Sequence, residues 1–314
     1  MDNNLIISTS PHLGCKTTTT SIMRDVIIAL MPASVAAVVF FGLKALLMIA
    51  VCVGCAVASE YLFNLICKKK QTVGDLSAIV TGLLLALNLS SGATVWQCAV
   101  GSVFAIIVVK CLFGGIGCNF ANPAITARIF LLISFSGSLA GGAATRFAEL
   151  TAGATPLEVM KNGGTELPSL FDMFIGNIGG AIGETCAPAL LLGFVYLLIR
   201  KVINWHTPVF FVGTVFILSL IIKQDLTLAL YQVLGGGLLL GAIFMATDYS
   251  TTPINKGGKI VFAIGCGIMT VLIRFWGSYP EGVSFAILFM NILSPFIEKL
   301  CARRPFGGAK HEKK

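Results

Sequence analysis

Twenty-two consecutive residues, ALLMIAVCVGCAVASEYLFNLI (45–66), carry a single charged side chain, Glu60. The hydrocarbon core of a bilayer calls for a run of about 20 mostly apolar residues, longer than a helix in a soluble domain keeps apolar on all sides. Ten such stretches can be marked, at 25–41, 45–66, 76–90, 95–113, 121–140, 181–199, 208–222, 228–246, 260–276 and 282–298. Several are short or broken by Gly or Pro, which a membrane protein accepts where neighbouring helices or a cavity satisfy the freed backbone. Only 11% of the chain is charged, against about 25% for a soluble domain. The expected fold is an all-α polytopic membrane protein of about ten transmembrane helices.

The charges sit at the ends of these runs. If the N-terminus is cytoplasmic, 17 of the 22 Lys and Arg fall on the inner side, among them Lys68, Lys69, Lys70, Lys110, Arg128, Arg200 and Lys201. The outer side keeps Lys44, Arg146, Lys161, Lys223 and Arg274. That excess places both termini in the cytoplasm and the loop at 141–170 outside. The same placement argues against nucleic-acid binding, despite a net charge of +8. The polar start MDNNLIISTSPHLGCK reads as an N-terminus with no cleavable signal. Most of the ten cysteines lie inside apolar runs, where Cys packs as a small hydrophobe. Cys52-x-x-Cys55 stands within one span without further ligands, so no metal site is expected.

An internal repeat organises the chain. GLLLALNLSSGATVWQ (82–97) leads to a span, the turn GGIGCNFANPAI (114–125) and another span. GLLLGAIFMATDYSTTP (237–253) leads to a span, the turn GSYPEGVSFAI (277–287) and another span. Five spans per half would invert the second copy, as in many transport folds. The expected units are residues 1–140, a loop at 141–170, residues 171–298 and a basic tail at 299–314. Thr94, in SSGATVW, falls in the place of TDYSTTP and reads as part of a tight turn.

A second Gly-Ala-Thr triplet, in ELTAGATPLEVMKNGG (149–164), has no counterpart in the other half. It occupies a loop of about thirty residues, a length that is often functional. Small Gly153 and Ala154 would let an enzyme approach the Thr155 hydroxyl, and Pro156 would hold the turn open. Glu149 stands six residues earlier and is placed to assist or to bind a cation. Thr155 is therefore a candidate for modification or ligand binding, with an ordinary small-residue turn as the alternative.

Across nearly its whole length the chain resembles the D subunit of Rnf complexes and, more distantly, the B subunit of the sodium-pumping NADH:quinone reductase. The likeness is carried by SPH (10–12), DVIIALMPA (25–33), GGIGCNFANPA (114–124), TAGATPL (151–157), GAIGETCA (180–187), MATDYSTTP (245–253) and YPEGVSFAILFMN (279–291). The resemblance implies a flavin-carrying subunit of an ion-translocating ferredoxin:NAD+ oxidoreductase in the inner (cytoplasmic) membrane, not catalytic alone. It implies FMN joined to Thr155 by a phosphoester, installed on the outer side by a separate flavin transferase. It also implies a noncovalent riboflavin, and the A, B, C, E and G subunits as partners. Glu149 stands where the family pattern has Asp, and Ala152 where it has Ser or Thr; Thr151 is the substitute hydroxyl nearby. A quinone-reducing complex and a plain solute transporter with inverted repeats are the competing readings.

Ionisable groups in or beside spans are costly and suggest pathways. Glu184, read inside the sixth span with no adjacent cation, is the sharpest ion-pathway candidate; a structural hydrogen bond is the alternative. Asp75 and Asp248 are further pathway candidates or helix caps. Asn119 and Asn122 are candidates for flavin contact or for turn formation. Arg274 and Glu281 are placed to pair across an outer turn, and Glu60 to meet the basic inner surface.

Overall fold

The structure, a computed structural model, describes residues 17–139, 155–162, 164 and 167–302. Glu149, Thr151, Gly153 and Ala154 lie outside the described residues. Among the described residues, five helices are long and apolar enough to cross a membrane: α1 (Thr19–Phe41), α2 (Leu43–Ile66), α10 (His206–Lys223), α13 (Lys256–Trp276) and α14 (Val283–Leu300). A further apolar pair, α11 (Leu226–Leu234) and α12 (Leu238–Met245), meets at 61° across a short break. Four apolar helices are shorter: α3 (Ser77–Asn88), α4 (Val95–Cys111), α5 (Pro123–Ser134) and α9 (Ala187–Ile199). Three small helical pieces complete the set, α6 (Ser136–Leu139), α7 (Pro156–Lys161) and α8 (Leu170–Ile175).

Helix ends follow local chemistry. Thr18 caps α1 by accepting a hydrogen bond from the Ser21 amide, and Asn122 caps α5 by accepting from the Ala124 amide. Gly42 takes φ 76° between α1 and α2, a conformation that spares glycine the Cβ penalty and turns the chain straight into the next helix. Thr94 is the first residue of a capping box with Gln97 at the start of α4, so the first triplet, read in the sequence as a tight turn, also starts a helix. The later turns of α4 (Phe104–Cys111) and of α12 (Gly241–Met245) are π-helical, a local widening often found at functional sites.

The packing partners recur in the two halves. α2 lies on α3 and α4, and α10 lies on α11 and α13; α1 pairs with α9, and α5 with α14. The interior holds Leu30, Met48, Leu85, Leu131, Phe211 and Phe262, together with hydroxyls such as Ser102, Ser219 and Thr270. Leu43, Ile66, Ile199 and Leu300 face outward instead. An apolar exterior around a partly polar interior suits a solvent of lipid tails.

Three expectations change here. Glu184 does not lie in a helix: α9 begins only at Ala187, and residues 177–186 run as irregular backbone. That segment is held against the end of α3, where the Ile182 and Gly183 amides donate to the Leu89 and Leu87 carbonyls, so the carbonyls a helix end leaves open are satisfied. Lys110 and Arg128 do not sit on the inner surface. Lys110 is buried and donates to both Glu60 oxygens (2.8 and 2.9 Å) and to Ser77 (2.6 Å), so Glu60 meets a buried partner rather than the basic surface. Arg128 projects from the middle of α5 into the protein.

Candidate functional site

Arg128 gathers groups from three segments that are remote in sequence. Its Nη1 donates to Asn88 Oδ1 (2.9 Å) at the end of α3 and to Ser284 Oγ (3.0 Å) at the start of α14. The same nitrogen lies 3.0 Å from Glu184 Oε1, while Nη2 binds Glu281. Glu184 is thus ion-paired, contrary to its isolation in sequence. The guanidinium is out of line for a hydrogen bond to it, and neither Glu184 oxygen accepts one among the described residues. Glu281 pairs with Arg128 rather than with Arg274. Arg274 instead donates to Gln232 Oε1 (3.1 Å) and to the Gly235 carbonyl (3.1 Å), at the break between α11 and α12.

Glycine makes this arrangement possible. A Cβ at Gly237 would stand 2.3 Å from Glu184 Oε1, and one at Gly183 would stand 2.5 Å from Leu87 Cβ. Gly236 adopts φ 65°, and a Cβ there would meet Leu157 and Arg274.

Thr155 borders the same cluster. It caps α7, its Oγ accepting from the Glu158 amide at 3.3 Å, with Pro156 in the first turn. Thr-Pro-Leu-Glu carries this signal in the sequence, as a hydroxyl three residues ahead of an acid with proline between. Leu157 seats the short helix on Gly235 and Gly236, and Lys161 donates to the Gly277 and Tyr279 carbonyls. Thr155 itself is 7% exposed, so the open approach expected from its small neighbours is not seen in this arrangement. It lines a cavity shared with Asn88, Arg128, Leu132, Tyr279 and Glu281.

A second cavity opens toward the other end of the helices. Asn119, Asn122 and Asp248 all line it, with Thr81, Leu84 and Phe244. Asn119 donates to the Ala121 carbonyl (3.2 Å) and to Ser250 Oγ (3.4 Å). Asp248 accepts from the Ser250 amide and hydroxyl and from Thr251, so it shapes a turn; α13 begins at Lys256 with Asn255 at its cap, and Asp248 caps no helix. Asp75 ends a 3-10 turn just before α3, within electrostatic reach of Tyr249, and does not cap α3. On α3, Leu84 borders this cavity and Asn88 the first. The step of four positions from one to the other rises about 6 Å. Asn88 closes the partition, donating to the Leu84 carbonyl (2.9 Å) and to Met245 Sδ (3.4 Å) on α12.

The model of the NQR2, RnfD, RnfE family matches residues 6–307. The chain belongs to this family. Among its relatives, the D subunit of the Na+-translocating ferredoxin:NAD+ oxidoreductase complex of Acetobacterium woodii is 46% identical, over 99% of this chain and 98% of that protein. The D subunit of the proton-translocating ferredoxin:NAD+ oxidoreductase complex of Clostridium ljungdahlii is 38% identical, over 97% of each chain. The D subunit of an ion-translocating oxidoreductase complex of Methanosarcina acetivorans is 33% identical over 98% of each. The family match therefore spans both cavities and the whole Arg128 cluster.

Buried cations were the features sequence reasoning missed. Lys110 within FAIIVVKCLF and Arg128 within PAITARIFLLIS each interrupt an apolar run. A charge in such a place needs a partner, and that need was the available signal.

Proposed function

We propose that this chain is the flavin-bearing D subunit, embedded in the membrane, of an Rnf-type complex, an ion-translocating ferredoxin:NAD+ oxidoreductase. The relatives support membership in such a complex. The reading of a covalent flavin rests on Thr155. Its hydroxyl oxygen accepts one backbone hydrogen bond, lines a cavity and stands in a cluster with a guanidinium. Esterification leaves that oxygen able to accept the Glu158 amide, and Arg128 suits a phosphate charge. The bound FMN would supply one- or two-electron transfer. Thr155 and Arg128 hold and orient it, while Leu132 and Tyr279 supply the walls. Because Thr155 is buried, the flavin transferase acts before residues 155–162 seat on Gly235 and Gly236.

The second cavity is the proposed riboflavin site. Leu84 and Phe244 offer apolar walls, and Asn119, Thr81 and Asp248 offer polar edges. A partition of about one helical turn between the two sites supports a relay inside a single chain. The A, B, C, E and G subunits, which carry the remaining electron steps, are the proposed partners.

The five long helices, the bent pair and the four shorter helices together supply ten crossings, and the recurring packing partners support two inverted five-helix repeats. Burial of Lys110, Arg128 and Arg274 leaves the inner basic excess in place, so both termini are cytoplasmic and Thr155 lies on the outer side of the cytoplasmic membrane. The test is fluorescence of the denatured chain on a gel from purified complex. Flavin fluorescence that travels with this chain is expected, and its absence from the wild type would remove the covalent reading.

A further inference from the structure

We propose that the small cavity between Thr155, Glu184 and Glu281 is a Na+ site, and that a phosphoester on Thr155 sets its occupancy. The cavity is lined by these three residues with Thr185 and the backbone of Gly180 and Gly236, and has room for about one water-sized occupant. Its side-chain oxygens are the carboxylates of Glu184 and Glu281 and the hydroxyls of Thr155 and Thr185, hard donors that suit an alkali cation. Glu184 carries the argument. It is 5% exposed, and Oε2 accepts no hydrogen bond among the described residues. A buried carboxylate oxygen without a donor costs stability unless something fills the space beside it.

The surrounding charges decide when a cation fits. Among the described residues, Arg128 and Arg274 balance Glu184 and Glu281. The Lys161 ammonium is held by the Gly277 and Tyr279 carbonyls and is matched by Glu158 on the same short helix. A cation added to this balanced set would be in surplus. A phosphoester linking Thr155 to a flavin carries one negative charge, and one Na+ then restores neutrality. The Glu184, Glu281 and Thr185 oxygens do not depend on that modification; the charge linkage does, and rests on the flavin reading above.

The test uses the purified complex with its flavins oxidised and no electron donor present, equilibrated with ²²Na+ and filtered. Each preparation is also denatured and run for in-gel flavin fluorescence. Glu184→Gln is expected to lose one bound Na+ per complex. Thr185→Val, which keeps the Arg128 ion pair intact and so guards against misfolding of the first variant, is expected to weaken that site about fivefold to tenfold, the loss of one oxygen donor. Thr155→Val is expected to lose the fluorescence and the same Na+ together. Binding equal to wild type in both Glu184→Gln and Thr185→Val would overturn the site. Loss of fluorescence with unchanged Na+ in Thr155→Val would overturn the charge linkage. A wild-type chain without fluorescence would refute the flavin reading, while the Glu184 and Thr185 comparison still decides the site.

Discussion

Arg128 Nη1 stands 3.0 Å from Glu184 Oε1, tying the middle of α5 to the irregular segment that precedes α9. The two residues are 56 positions apart in the chain, and each is a costly charge without the other. Breaking a buried pair by removing one partner typically costs about 3–5 kcal/mol, because it strands the remaining charge. Arg128→Gln, which strands both Glu184 and Glu281, should lower the thermal unfolding temperature of the detergent-solubilised complex markedly. Arg128→Gln combined with Glu184→Gln should recover part of the loss. A double variant no more stable than Arg128→Gln alone would mean that the pair is not coupled.

Gly237 tests the same cluster from the other side. A methyl group there would meet Glu184 Oε1 at 2.3 Å, and the neighbours on both sides are packed. Gly237→Ala should push Glu184 out of place and cost about 1–3 kcal/mol by overpacking. The expected result in proteoliposomes is impaired ²²Na+ uptake with covalent flavin retained. Normal uptake by a stably assembled Gly237→Ala complex would show that Glu184 can move without consequence.

Thr155 and Thr94 make a matched comparison, since each caps a helix and each follows Gly-Ala. A phosphoester needs the hydroxyl itself, so Thr155→Val should abolish covalent flavin although the side chain keeps its shape. Thr94→Val should keep the flavin and lose about 1 kcal/mol of capping. Peptide mass spectrometry should place the added FMN mass on the fragment that contains Thr155; finding it on the Thr94 fragment would reverse the assignment.

Topology can be read independently of any cofactor. Reporter fusions after Lys70 and Lys201 should report cytoplasm, and a fusion at Lys161 should report the outer side. A cytoplasmic signal at Lys161 would overturn the orientation and, with it, the outer placement of Thr155.

Much of the architecture could be read from residue order, because lipid imposes a simple rule on composition. The long runs that became α1, α2, α10, α13 and α14 needed only apolar length, and the turns at Thr94 and Asn122 needed only small polar residues between apolar runs. The break between α11 and α12 was harder to place, since a run of apolar residues looks the same whether it crosses straight or bends at Gly235–Gly237. Glu184 shows the same difficulty. GAIGETCAPALLLG reads as one span, but its first half is backbone hydrogen-bonded to the end of α3 and only its second half is helix.

Amino-acid order alone was enough for an all-α membrane chain and its family, and it put Thr155 forward as a candidate, because hydropathy, Lys and Arg placement and short motifs are local properties. The partners of the buried charges were not local. Glu60 met Lys110 from 50 residues away, and Arg128 met Asn88, Glu184, Glu281 and Ser284 from both halves of the chain. An ion pair in a low-dielectric interior forms wherever folding brings opposite charges together, and its energy depends on distance in space rather than along the chain. Only the packed helices could reveal that the isolated carboxylate and the apparent surface arginine are one pair beside Thr155.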